Sequence, residues 1–380
     1  MSRKPKNKSK RSFLIAVFIC VGCILIGVGV FYLGDLFPSE YHLVSADVAK
    51  SLSGTSSAPV VASLDIAAYN KKLIQIANYP SSTTAHLTAS SSATSDASSS
   101  SLAAIAPRHP WPVKTVYPNA GALLPFNRIV AYYGNFYSTS MGVLGQYPPA
   151  EALSRLQAAA AQWQAADPST PVIPAIDYIA VTAQGSPGAD GKYRLRMPDS
   201  QIQQAISMAA EINGIVILDV QVGDSTLQAE LPLLAQYLKL PQVHLAIDPE
   251  FAMHNGEKPG TVIGTFDATD INYAANFLAG LVKANNLPPK ILVVHRFTED
   301  MVTHYKNITP LPEVEIVMDM DGWGPPAKKV GTYTNFIAGE PVQFTGFKLF
   351  YKNDIKSGIP MMTPEQVLKL TPQPVFIQYQ

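Results

Sequence analysis

The last two thirds of this 380-residue sequence predict an α/β fold in which parallel strands alternate with helices. From residue 127 onward, short runs rich in β-branched residues alternate with longer runs of helical periodicity. Such alternation is typical of parallel strands joined by crossover helices. Eight strand-like runs fall within about 250 residues, which is the number and length typical of a (β/α)8 barrel, or TIM barrel. A doubly wound open sheet is the main alternative, but no Gly-rich phosphate loop follows the first strand.

The N-terminal region predicts a membrane anchor. Residues 1–12 form a basic tail, and residues 13–33 are 21 uncharged, mostly apolar residues, enough to span a bilayer as a helix. The positive-inside rule places the tail in the cytoplasm and everything after residue 34 outside. A lipoprotein attached at Cys23 and a cleaved signal peptide are alternatives, and both also export the C-terminal domain.

Residues 34–107 are predicted to be an extracytoplasmic stalk. Within it, residues 81–101 are Ser, Thr or Ala at 18 of 21 positions, so this segment cannot bury enough apolar surface to fold and is expected to be a disordered linker. Residues 64–78 have apolar residues at helical spacing and predict a transient helix of the stalk. The barrel domain is then expected to occupy residues 108–380.

The composition excludes some functions for the folded domain. Hydrophobic residues make up 47% of the chain, which is ample for a large core. Lys and Arg number 28, equal to Asp and Glu, and no basic stripe follows residue 108, so nucleic-acid binding is not expected. Both cysteines, Cys20 and Cys23, precede the domain, so it contains neither a disulfide framework nor a cysteine metal site.

The barrel elements can be assigned in order along the chain. The predicted strands are residues 128–135, 172–178, 214–222, 243–250, 261–266, 290–297, 314–323 and 344–351. The predicted helices between them include residues 150–166, 199–212, 227–239 and 271–285. Three of these helices begin near residues that commonly cap helix N-termini: Asp199, Asp224 and Asp270.

Polar residues collect where these strands end. Active sites of (β/α)8 barrels lie at the C-terminal ends of the strands, and side chains two apart on a strand share a face. Near the end of each predicted strand, every second side chain is expected to point into the barrel. These inward residues are Tyr133, Asn135, Asp177, Asp219, Gln221, Asp248, Glu250, His295, Asp319, Asp321 and Lys348, and Trp323 and Tyr351 lie beside the last two strands. Six acids, one histidine and one lysine at one mouth are hard to explain as packing, because buried charges are costly.

Clustered carboxylates in a barrel serve two kinds of chemistry. Glycoside hydrolysis needs a proton donor and a second carboxylate. Metal-dependent hydrolysis uses several His and carboxylate ligands, but only His295 stands at a strand end here. The aromatic residues Tyr133, Trp323 and Tyr351 favour a sugar, because pyranose rings stack on aromatic faces.

Two stretches carry a resemblance to known glycoside hydrolases. "RIVAYYGNF" (128–136) resembles the first strand of family 18 chitinase-like proteins, and "AIDPE" (246–250) resembles the end of their fourth strand. There the pattern D-x-x-D-x-D-x-E ends on the catalytic acid, which implies Glu250 as the acid and Asp248 as its neighbour. The two earlier Asp positions are Val243 and Ala246 in this chain.

The resemblance extends to a second family and departs from both. Family 25 lysozymes also carry D-x-E on this strand, but they need an acid at the end of strand one, where this chain has Asn135. His295 stands near the place where family 18 enzymes have a tyrosine.

Together these features predict a membrane-anchored, extracytoplasmic glycoside hydrolase acting on a polysaccharide or other glycan, without a cofactor or metal. Glu250 is the expected general acid, Asp248 its helper, and Asp319 or Asp321 the opposing carboxylate. The remaining mouth residues are expected to bind substrate: Tyr133, Asn135, Asp177, Asp219, Gln221, His295, Trp323, Lys348 and Tyr351. A non-catalytic glycan-binding barrel on a stalk and a metal-dependent hydrolase are the alternatives.

Overall fold

The structure, a computed structural model, describes residues 63–79 and 111–380. Its centre is a closed barrel of eight parallel strands in sequence order, with the eighth pairing back to the first. The strands are β1 (Arg128–Gly134), β2 (Val172–Ala183), β3 (Ile215–Val220), β4 (Val243–Ile247), β5 (Lys290–Arg296), β6 (Val314–Met320), β7 (Phe344–Leu349) and β8 (Phe376–Tyr379). The predicted (β/α)8 fold is therefore confirmed.

Helices join most of these strands. They are α1 (Ile66–Ala77), before the barrel, then α2 (Pro149–Ala166), α3 (Asp199–Glu211), α4 (Leu227–Leu238), α5 (Ala268–Asn285), α6 (Pro326–Thr332) and α7 (Pro364–Val367). A π-helical turn, Tyr333–Ala338, continues α6. Between β5 and β6 the chain instead forms the short strand Val302–Thr303, which pairs with Phe266–Asp267 outside the barrel, and a 3-10 turn at Tyr305–Asn307.

One predicted strand was wrong and one barrel strand was missed, so the predicted number of eight strands still agrees with the structure. Residues 261–265 form a loop, in which Val262 and Ile263 are exposed, and Phe266–Asp267 leads directly into α5 because the Asp267 side chain caps that helix. The missing eighth strand is β8, four residues beside the C-terminus. The runs assigned as the sixth to eighth strands are therefore the fifth to seventh strands of the barrel.

Alternation along the strands divides the core in two. Residues of one parity, such as Val130 and Leu218, pack outward against the helices. Residues of the other parity, such as Ala131, Ala175 and Val293, fill the barrel interior. The inward parity becomes polar toward the C-terminal end of each strand, so the site stands directly above an apolar interior.

Helix α1 packs against the barrel rather than belonging to the stalk, where the sequence had assigned it. Lys72 Nζ donates to Thr170 Oγ1 over 2.7 Å, just before β2, and Gln373 N donates to Ile76 O over 2.7 Å, just before β8. Ile76 joins the interior core. Both contacts lie just before a strand begins. Helix α1 therefore covers the end of the barrel at which the strands start, opposite the C-terminal ends that carry the polar residues.

The segment that leads into β1 is held at the same end. Glu315, on β6, is buried and accepts hydrogen bonds from the backbone N–H groups of Leu123 and Leu124, over 3.0 and 2.7 Å. Burial raises the pKa of the Glu315 carboxyl to about 8, and the two backbone donors only partly oppose this. The lower end of the barrel is thereby closed by chain that precedes the first strand.

The basic tail 1–12, the proposed membrane segment 13–33 and the linker 81–101 lie outside the described residues. Within residues 63–79 and 111–380, no helix combines the length and the apolar character needed to cross a membrane.

The packing of α1 yields a stability prediction. Ile76 is 1% exposed, whereas Ile74, on the same helix, is 72% exposed. Replacing Ile76 with Ala should lower the free energy of unfolding by about 2–4 kcal/mol, since a buried side chain leaves a cavity. Ile74→Ala should change it by no more than about 0.5 kcal/mol. Urea unfolding of the full chain in detergent measures both; equal effects would mean that α1 does not pack on the barrel.

Candidate active site

A cavity of about 520 Å³ opens at the C-terminal ends of the strands. Its volume lies within the range of small-molecule sites in proteins. The predicted site residues that line it are Tyr133, Gln221, Asp248, Glu250, Asp321, Trp323 and Lys348. The structure thus brings together side chains from β1, β3, β4, β6 and β7 that are up to 215 positions apart in the sequence.

A second group of predicted residues lies below the cavity. Asp177, Asp219, His295 and Asp319 are fully buried and do not line it. They occupy the inward parity of β2, β3, β5 and β6 just beneath the lining residues. The polar residues therefore form two layers, of which only the upper can touch a ligand in the cavity.

His295 is the centre of the lower layer. Its Nε2 lies 2.9 Å from Asp219 Oδ2, and its Nδ1 lies 3.3 Å from Asp319 Oδ2 and 3.5 Å from Asp321 Oδ2. Burial alone would lower the pKa of this imidazole, but the surrounding carboxylates outweigh it and hold the pKa well above its usual value. A protonated His295 thus links the buried acids to Asp321, which faces the cavity.

Lys348 is the second cation of the site. Its Nζ lies 2.9 Å from Asp321 Oδ1 and 3.9 Å from the centre of the Tyr133 ring. Burial again opposes the charge, yet attraction to Asp321 and other carboxylates leaves the pKa of Lys348 above its usual value. The ammonium is therefore fixed between a carboxylate and an aromatic face.

The sequence had predicted that Asp248 and Glu250 lie on the same face of one strand, and this prediction was wrong. Strand β4 ends at Ile247, and Pro249–Phe251 forms a 3-10 turn in which Asp248 Oδ1 accepts from Glu250 N over 3.0 Å. Both side chains nevertheless line the cavity. The turn gives the pair a local structural role as well, because Asp248 caps the turn that carries Glu250.

Asp248 also contacts the residue that follows the neighbouring strand, β3. Gln221 Nε2 lies 3.4 Å from Asp248 Oδ2 and donates to Tyr133 Oη over 3.0 Å. Burial is the main reason that the pKa of Asp248 stands well above its usual value. Burial likewise raises the pKa of Asp177 and of Asp319.

Glu250 is the cavity carboxyl best placed to exchange a proton near neutral pH. Burial, followed by repulsion from Asp321, raises its pKa to about 7, and attraction to Lys348 and His295 only partly opposes this. It is half-buried, whereas Asp248 is 2% exposed. Carboxyls with such pKa values at a cavity are frequent in active sites.

Two predicted site residues lie elsewhere. Asn135 is buried and holds the loop after β1: its Nδ2 donates to Ile179 O over 3.1 Å and its Oδ1 accepts from Tyr137 N over 2.9 Å. Tyr351 stacks on Tyr379 with ring centres 5.1 Å apart, away from the cavity. Trp323, in contrast, lines the cavity and remains 47% exposed.

Sequence reasoning missed a residue of the eighth strand and several residues of the segments that follow the barrel strands. Gln378, on β8, is fully buried and donates from Nε2 to Asp177 Oδ2 over 2.5 Å. Its only sequence signal was the alternating run "FIQY" (376–379), which is short and beside the C-terminus. Further cavity residues that were missed are Ser140, Met141, Phe297, Lys328, Asn353 and Gln380.

Across the described part of the chain, no group of three or more His, Cys, Asp or Glu side chains has an arrangement that could hold a metal ion. The ring nitrogens of His295 face carboxylates instead.

The fold and cavity define the class of the protein as a (β/α)8 barrel with a polar site at the strand termini. No protein-family model and no curated protein matches this chain.

Gly346, on β7, gives a test of the lower layer. A Cβ atom at this position would lie 2.4 Å from Asp319 Oδ1, so the carboxyl occupies space that only glycine leaves open. Gly346→Ala should therefore cost about 1–3 kcal/mol of stability. Gly331→Ala, in α6 with no atom within 4 Å of the added Cβ, should be neutral or stabilising by up to about 1 kcal/mol. Thermal unfolding distinguishes them; equal stabilities would contradict the close approach.

The raised pKa of Glu250 gives a second prediction. The folded-state pKa, about 7, exceeds the usual 4.5, so the stability that the protonated carboxyl contributes is complete below about pH 4.5 and is lost as pH rises to about 7. Glu250→Gln removes this loss, and its stability relative to wild type should rise by about 2 kcal/mol across that window. Denaturant titrations at pH 4.5 and 8 measure the difference.

The matched control is Glu211→Gln, an exposed glutamate at the end of α3. Its stability relative to wild type should be the same at both pH values, because this side chain is exposed at the end of α3 and does not line the cavity. A flat profile for Glu250→Gln as well would contradict the raised pKa.

Proposed function

We propose that this protein is a glycoside hydrolase that cleaves a glycan with Glu250 as general acid. The observation that carries the proposal is a half-buried carboxyl of pKa about 7 on the wall of a cavity that also holds the Asp321–Lys348 ion pair. Two carboxyl groups with different environments at one cavity are what glycosidic bond cleavage requires.

Glu250 would supply the proton to the leaving oxygen. A carboxyl that is still protonated near neutral pH can donate without a metal or cofactor. Asp248 would position it, because the Asp248 side chain caps the turn that carries Glu250.

Asp321 would stabilise the positive charge that develops on the sugar. It is the second carboxylate on the cavity wall, and Lys348 and His295 fix both of its oxygens. Asp319, the other candidate for this role, lies below the cavity and is fully buried, which favours Asp321. His295 would act through Asp321 as a positioning residue.

The remaining cavity residues suit a polyhydroxylated ligand. Gln221, Asn353 and Ser140 offer amide and hydroxyl groups, while Trp323 offers an exposed aromatic face. The basic tail and the apolar segment 13–33 support an anchored enzyme whose barrel faces the outside of the cell, in contact with envelope or environmental polysaccharide.

A non-catalytic glycan-binding barrel is the second candidate. One observation favours it: each cavity carboxyl other than Glu250 is already engaged, Asp321 with Lys348 and Asp248 with Glu250 N and Gln221. The same cavity would then bind a saccharide without cleaving it.

Turnover separates the two candidates. The full chain in detergent is incubated with chitin or peptidoglycan, and reducing ends are counted. Glu250→Gln should reduce hydrolysis by about 10²–10⁴-fold, since it removes the proton donor. Wild-type activity should fall as pH rises through about 7, where Glu250 loses its proton. Asp321→Asn should also lower kcat strongly.

Glu211→Gln and Asp300→Asn are matched controls, because both residues are exposed and neither lines the cavity. Both should keep wild-type rates. Glycan binding with no release of reducing ends would favour the non-catalytic barrel, and unchanged turnover in Glu250→Gln would remove Glu250 from the acid role.

A further inference from the structure

The rim of the cavity carries a group of residues that the proposed chemistry does not use. Trp323 is 47% exposed, and the ammonium groups of Lys328 and Lys356 each lie 5.1 Å from the centre of its ring. Trp323 and Lys328 line the cavity. These three residues are called the lysine–tryptophan rim below.

The rim contains no compensating negative charge. The two segments that form it, residues 322–328, which run into α6, and residues 350–360, contain one acid, Asp354. That carboxylate is buried, and it is held by Lys329 Nζ at 2.7 Å and by the backbone N–H groups of Gly324 and Phe350. Among the described residues, neither Lys328 nor Lys356 has a carboxylate within ion-pair distance.

The cavity floor does not supply the missing charge either. Asp321 is paired with Lys348, and Glu250 is largely protonated below its pKa of about 7. Each ammonium group lies 5.1 Å from the same ring centre, so the two nitrogens are at most about 10 Å apart (twice 5.1 Å), and at that range they repel each other. An anionic group placed beside the Trp323 ring would relieve this repulsion.

We infer that the lysine–tryptophan rim binds a sugar unit that carries a negative charge, so that the substrate is an anionic saccharide. The sugar ring packs on Trp323, and its carboxylate or phosphate group pairs with Lys328 and Lys356. The inference rests on the proposed function for the cleavage step, and it extends that function by assigning the substrate class. A neutral glycan would stack on Trp323 but leave both ammonium groups unpaired.

Tryptophan fluorescence provides the readout. Trp111 and Trp163 are 2% and 0% exposed, so Trp323 is the solvent-accessible tryptophan among the described residues. The full chain in detergent is titrated with a galacturonic acid hexamer, a phosphorylated galactose hexamer and a neutral galactose hexamer. The anionic hexamers should bind about tenfold or more tightly than the neutral one, and added salt should reduce this advantage. The tighter of the two anionic ligands identifies the charged group.

The test variant is Lys328→Gln combined with Lys356→Gln, which retains Trp323. It should weaken binding of the anionic hexamers about tenfold while changing that of the neutral hexamer less than about twofold. Lys71→Gln combined with Lys239→Gln is the matched control: both lysines are exposed, they lie on α1 and after α4, and the charge change is the same. This control should bind all three hexamers as wild type does.

Repeating the titration in Glu250→Gln separates binding from cleavage. If the anionic hexamers bind preferentially to this variant and the wild-type protein hydrolyses no glycan, the rim assignment stands and the proposed hydrolysis is wrong. If the neutral hexamer binds as tightly as the anionic ones, or if the double lysine variant binds the anionic hexamers unchanged, the rim assignment is wrong whatever the enzyme cleaves.

Discussion

The main constraint on this molecule is a shortage of positive charge among the carboxyl groups that point into the barrel at the C-terminal ends of its strands. Six carboxyl groups point inward from neighbouring strands, and His295 and Lys348 are the two cations among them. Two cations cannot neutralise six carboxylates in a poorly hydrated interior, so several carboxyls must keep their protons. The raised pKa values of Asp177, Asp248, Asp319 and Glu250 follow directly.

The two layers of polar residues accommodate their carboxyl groups in different ways. In the lower layer, His295 binds Asp219 and approaches Asp319, while Gly346 leaves room for the Asp319 carboxyl. In the upper layer, Asp321 pairs with Lys348, and Glu250 retains a proton that it can give up near neutral pH. The lower layer holds the upper one in place, because His295 also contacts Asp321. Such preorganised charges are typical of functional sites, and they generally cost stability.

The two ends of the barrel differ in polarity and in access to water. At the lower end, α1 and the segment held by Glu315 exclude water from an apolar interior. At the upper end, the cavity is open, and its rim offers Trp323 with two unpaired lysines. Closure below and polarity above leave the upper end as the place where a ligand can meet both aromatic and charged groups.

The fold class could be predicted from the sequence alone, because periodicity along the chain reflects local geometry and burial. The sequence also identified most of the polar residues at the mouth, since strand parity decides which side chains point inward. It assigned the wrong fifth strand and missed β8, because residues 261–266 and 376–379 differ in pairing partners rather than in local pattern. Which inward residues reach the cavity could not be predicted in this way. Asp319 and Asp321 share a parity, yet Asp319 is enclosed by His295 and Gly346, whereas Asp321 faces the cavity. Depth along the barrel axis depends on the register of all eight strands, and that register is set by pairing between distant segments.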